Sequence, residues 1–118
     1  MKVVVTSPSF CKSEFLKFKL TSLFPNTIFT ERLDYLSGVE LIEFLQDADA
    51  AIIGRDLITR ATLDALPKLK MISKYGVGLD NLDLDAINQK GIALAVTEGV
   101  NRRSVAELTL SFMIGLCH

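Results

Sequence analysis

The sequence has no tryptophan, three prolines, two cysteines and a single histidine in 118 residues. Two cysteines near opposite ends, Cys11 and Cys117, do not make a disulfide framework. Reduced thiols in a cytoplasmic setting are therefore expected. The one histidine, His118, is the last residue and has no fixed environment, so no catalytic role is expected of it. Net charge is also lacking. Thirteen basic residues against fourteen acidic ones leave −1, so no overall field draws nucleic acid or an anionic membrane. No apolar stretch approaches the roughly 20 residues of a membrane span. The opening "MKVVVTSPSF" is too brief an apolar run, cut by Pro8, to be a signal peptide. Repeats and low-complexity segments are absent.

What is present is one domain's worth of chain with an apolar fraction of 49%, enough to bury about 65% of its unfolded surface. Five short apolar runs recur: "KVVVT" (residues 2–6), "TIFTE" (27–31), "AAIIG" (50–54), "KMISK" (70–74) and "IALAV" (92–96). Apolar on both faces, they read as strands covered on both sides, the signature of a parallel sheet. Helical spacing fills the gaps. Phe15, Leu16, Lys19, Leu20 and Leu23 follow a capping Ser13, and Leu41, Ile42 and Leu45 follow Ser37. Thr59 opens a short helix closed by Pro67, and residues 83–91 form another, stopped by Gly91. This strict alternation predicts an α/β fold: a flavodoxin-like five-stranded parallel sheet over residues 1–100 with helices on both faces.

In such a sheet ligands bind beyond the carboxyl ends of the strands. The candidate positions are then residues 7–10, 54–56, 75–81 and 97–103. Within them "KYGVGLDN" has a Gly-x-Gly spacing, but Asn81 stands where a dinucleotide fingerprint needs its third glycine, and helical spacing resumes only near Asp83. The other use of Gly76 and Gly78 is to let the main-chain N–H groups of Gly76, Val77 and Gly78 form an anion cradle fit for a carboxylate; the competing use is a tight turn. Arg55, directly after the third strand, is placed to clamp a second acidic group. Asn101 caps a terminal helix in which Ser104 and Glu107 match a capping box. Arg102 and Arg103 beside it add positive charge, although exposed arginines are usually only solvated. That terminal segment, "SVAELTLSFMIGLC" (104–117), is apolar nearly all round. It reads as a connector in need of a partner surface, with self-association expected where none is supplied; the competing use is a last core helix laid on one sheet face.

The stretch from Lys74 to Met113, and above all G-V-G-x-D-N followed by K-G-I and N-x-x-S-V-A-E, resembles the D-isomer-specific 2-hydroxyacid dehydrogenases. The resemblance implies a two-domain enzyme that moves hydride between NAD and a 2-hydroxy or 2-keto acid, phosphoglycerate-type substrates included. Residues 1–100 would be the substrate-binding domain. Residues 101–118 would begin the helix that crosses to a Rossmann NAD domain. It further implies that Tyr75, Gly76, Val77 and Gly78 hold the substrate carboxylate and that Arg55 contacts a substrate phosphate. Asn101 and Val105 would lie near the nicotinamide of NAD. "TEGVN" lacks the proline common in that loop. The family's catalytic arginine, glutamate, histidine and GxGxxG belong to the second domain, so this chain alone is expected to be inactive and to hold NAD poorly.

A reading of another class is a free-standing module that senses a small carboxylate without catalysis. Two further flavodoxin-like functions are disfavoured. A flavin carrier wants glycine in the loop after the first strand, which "TSPSFCKSE" lacks. A phospho-receiver wants an aspartate where the third strand ends, and Gly54 and Arg55 stand there.

Overall fold

The computed structural model describes residues 2–31, 35–75 and 78–97. Five strands, β1 (Val3–Val5), β2 (Ile28–Phe29), β3 (Ala50–Ile53), β4 (Met71–Tyr75) and β5 (Ala93–Thr97), form one parallel sheet in the order β2-β1-β3-β4-β5. That order is the flavodoxin-like one. β1, β3, β4 and β5 each lie within a residue of their apolar runs, whereas β2 keeps only two residues of 27–31 and, at the sheet edge, leaves Ile28 exposed instead of buried on both faces.

Alternate residues of the strands feed two separate cores. Val4, Ala51, Ile53 and Ile72 point to one face, where Leu41 and Leu45 of the α3 region (helix Gly38–Phe44), Leu63 of α4 (Arg60–Asp64) and Ala86 and Ile87 of α5 (Leu84–Gln89) cover them. Val3, Val5, Ala50, Ile52 and Met71 point to the other. There they meet Phe10 of α1 (Pro8–Cys11), Leu16 and Leu20 of α2 (Glu14–Leu23), and Phe24. Burying one such leucine contributes roughly 1.5–3 kcal/mol, so both faces are needed to hold the central strands.

Helix starts follow the sequence closely. Ser13, Thr59 and Asp83 each accept a hydrogen bond from the backbone N–H three residues on, at Leu16, Thr62 and Ala86. Ser37 occupies the cap position of α3 but makes no side-chain capping bond. Two features differ from expectation. A separate turn of helix, α1, precedes α2, started by Pro8 at its first position and capped by Ser7. In α2 the buried face is Leu16 and Leu20, while Phe15 and Leu23 of the expected stripe are exposed. The helix ends at Leu23, and Phe24, leaving helical geometry, turns inward in its place. No described helix is long and apolar enough to cross a membrane.

Candidate functional site

The carboxyl edge of the sheet is assembled by register. Val5 is level with Ile52 and Ile53 with Lys74, so Ser7, Gly54 and Tyr75 follow side by side on neighbouring strands. A Cβ built on Gly54 would stand 3.2 Å from Tyr35 Cε1 and 3.3 Å from Ser7 Oγ, so a side chain there would press on both neighbours. Just beyond, Arg55 is exposed, with its guanidinium carbon 6.0 Å from the centre of the Tyr35 ring, at the limit of a cation–π contact.

The loops after β3 and β4 are joined. Ile58 and Leu82 form a parallel bridge in which Ile58 N–H donates to Asn81 O (2.8 Å) and Asp83 N–H to Ile58 O (2.9 Å). The Asn81 side chain completes the junction: its Nδ2 donates to Gly54 O at 3.1 Å and to Asp56 O at 2.7 Å. The residue standing where a fingerprint would have glycine therefore ties one loop to the other.

Beneath the edge lies a buried polar cluster. Asp56 is fully buried. Its carboxylate accepts from Thr6 Oγ1 (2.5 Å), Leu36 N–H (2.7 Å) and Gly54 N–H (3.3 Å). Lys74, also buried, donates through Nζ to Gly54 O. Burial pushes the Lys74 pKa below the ordinary lysine value; the Asp56 carboxylate opposes that shift and the Arg55 cation adds to it. Among the described buried side-chain polar atoms none lacks a partner. Topology alone puts Asp56 and Asn81 on the right edge without giving them a task, and gives no role to Lys74 or Thr6. The signal in the sequence is a lysine in "KMISK", a run otherwise fit for full burial.

Of the expected site residues, Arg55 and Gly78 stand at this edge. Gly78 has φ +89° with nothing within 4 Å of the position its Cβ would take, a left-handed conformation that favours glycine. Tyr75 is the last residue of β4, level with Thr97, and its ring meets Phe10 edge-on at 5.3 Å. Gly76, Val77, Asn101, Val105 and the terminal segment 104–117 lie outside the described residues, as does His118.

From Gly78 onward the chain does not form a dinucleotide turn. The bridge residue Leu82 intervenes, α5 has only six residues, and the Asp83 carboxylate already occupies its first-turn N–H at Ala86. A pyrophosphate needs that position open. The turn from Gly78 to Asp83 is thus not a dinucleotide fingerprint. Nor do any three His, Cys, Asp or Glu side chains among the described residues gather as metal ligands.

Comparison with known proteins points one way. A D-3-phosphoglycerate dehydrogenase of Methanocaldococcus jannaschii is 38% identical over 80 residues, 67% of this chain and 15% of that protein. A glyoxylate/hydroxypyruvate reductase B of Yersinia enterocolitica is 39% identical over 75 residues, 64% of this chain and 23% of that one. The NAD+-bound crystal structure of 3-phosphoglycerate dehydrogenase from Entamoeba histolytica superposes with a TM-score of 0.71 at 33% identity, covering 97% of this chain and 38% of that one. The chain therefore spans well under half the length of each of these relatives. The sequence pattern of the D-isomer specific 2-hydroxyacid dehydrogenase catalytic domain matches residues 5–112. The chain belongs to that family of oxidoreductases, through its catalytic domain.

Proposed function

We propose that this chain is the substrate-binding lobe of an NAD-dependent D-2-hydroxyacid dehydrogenase, and that it holds the acid while a second, Rossmann lobe supplies NAD and the proton-transfer groups. The acid's carboxylate rests on the main chain of Tyr75, Gly76, Val77 and Gly78. Arg55 takes a second anionic group, which favours a phosphorylated hydroxy acid of the 3-phosphoglycerate type. Asn101 and Val105 face the nicotinamide side, and the apolar segment 104–117 connects the lobes. Without the second lobe that segment drives self-association. A reducing cytoplasm suits Cys11, a half-buried free thiol whose pKa burial raises.

The observation that carries this reading is the pairing of an exposed arginine with a left-handed glycine on two loops bridged at Ile58 and Leu82. A cation and a glycine without a side chain are thereby held at one edge, which supports binding of a two-anion acid. Proton transfer needs a group with a suitable pKa in reach of the substrate; the only histidine in the sequence is His118.

The test is a titration of the isolated chain with 3-phosphoglycerate, followed by amide NMR, beside a turnover assay with NAD. Shifts concentrated at residues 54–56 and 75–78 without turnover are expected. Turnover by the chain alone would overturn the division of labour. Absence of binding by any 2-hydroxy acid at millimolar concentration would overturn the substrate assignment. Binding unaltered when a Rossmann lobe is joined to the chain favours the sensing module instead.

A further inference from the structure

The residues on either side of Arg55 are gripped from below through their carbonyls. The carbonyl of Gly54, on one side, accepts from Lys74 Nζ and from Asn81 Nδ2; the carbonyl of Asp56, on the other, accepts from Asn81 Nδ2. The N–H of Gly54 is held by the Asp56 carboxylate. Successive side chains then point in opposite directions, with Asp56 fully buried and Arg55 exposed. A loop of glycine and polar residues at a sheet edge would otherwise be free to turn Arg55 in several directions. Here its backbone is anchored to β4 by Lys74 and to the following loop by Asn81.

Resting on the function proposed above, we infer that Lys74 and Asn81 are positioning residues: they touch no substrate but fix the direction from which Arg55 meets the ligand's second anionic group. A lysine is suited to the task because its ammonium offers three donors on a long stem, and so reaches a carbonyl on the adjacent strand from within the sheet. Methionine has the length without the donor, and arginine has both donor and charge with a different shape.

The experiment is calorimetric titration of the chain with 3-phosphoglycerate and, separately, with glycerate, which lacks the phosphate. Lys74→Met is expected to weaken 3-phosphoglycerate about tenfold, the scale on which one charge-assisted hydrogen bond counts when it is broken or misaligned, and to leave glycerate nearly unchanged. Lys74→Arg is expected to restore most of the affinity. In an Arg55→Gln background Lys74→Met should cost nothing further, because its effect passes through Arg55. Asn81→Ala gives the same pattern and serves if Lys74→Met does not fold. Without ligand, either variant should speed hydrogen exchange at the Ile58 and Asp83 amides. Equal affinities in wild type and both variants overturn the inference, as do losses of the same size for both acids or losses that persist fully in Arg55→Gln. A wild-type chain that binds neither acid overturns instead the function on which the inference rests, and the two failures are told apart by that control.

Discussion

Removing the Asp56 carboxylate should be the most damaging single change at the ligand edge. In Asp56→Ala the amides of Leu36 and Gly54 lose their acceptor, while Thr6 Oγ1 keeps a weaker partner, Ile52 O at 3.4 Å. Each buried donor left unpaired costs about 1–3 kcal/mol. The Lys74 ammonium is also deprived of the opposing charge of Asp56, which increases the loss. These losses fall on one cluster and do not add, so about 4 kcal/mol is expected. That is a large share of the roughly 5–15 kcal/mol a domain has. Urea unfolding at neutral pH would show it as a midpoint lower by about 2 M, given a slope of about 1–3 kcal/mol per M. Asp56→Asn, which keeps one acceptor oxygen, should lose about half as much. A loss below about 1 kcal/mol for Asp56→Ala would mean that water satisfies the stranded amides, and would refute the view that this carboxylate organises the edge.

Three further outcomes are expected. Gly54→Ala should cost on the order of 1 kcal/mol, read from the melting temperature, because the new methyl group presses on Tyr35 and Ser7 at 3.2 and 3.3 Å. The Tyr35 ring, exposed on one side, gives way first, so its stacking with Arg55 should loosen as well. Asp47→Gly should stabilise the domain by up to about 1 kcal/mol in the same assay, since Asp47 has φ +64° and its ion pair with Lys68 is well exposed. The last outcome concerns alkaline pH. Because the Lys74 pKa is depressed on folding, the native state holds fewer protons than the unfolded chain between that lowered value and 10.5. Its contribution to stability therefore rises with pH through that window, and the rise should vanish from urea midpoints measured for Lys74→Met.

Much of this architecture is legible in the chain. Strands such as Ala50–Ile53 announce themselves because residues buried on both faces leave no polar alternation. Ser13, Thr59 and Asp83 are recognisable because capping is a bond across three residues. Arg55 and Gly78 are reached through topology, which says where a loop lies before its shape is known. What escapes depends on distant partners. Lys74 and Gly54 are 20 residues apart, and Asp56 and Thr6 are 50 apart. Local patterns register a buried charge as an oddity and do not name its counterpart. The facing of α2 is hidden for a related reason. Phe15 and Leu16 are neighbours on the helix surface, and only the position of the sheet decides which of them goes inside.

The bridge between Ile58 and Leu82 has a consequence for anyone recombining this domain with a relative. The two ligand-edge loops behave as one cassette: an exchange that imports either alone separates Asn81 from the carbonyls it was shaped to meet. Grafts that change substrate preference should therefore be cut in β3 and again in α5, and take everything between.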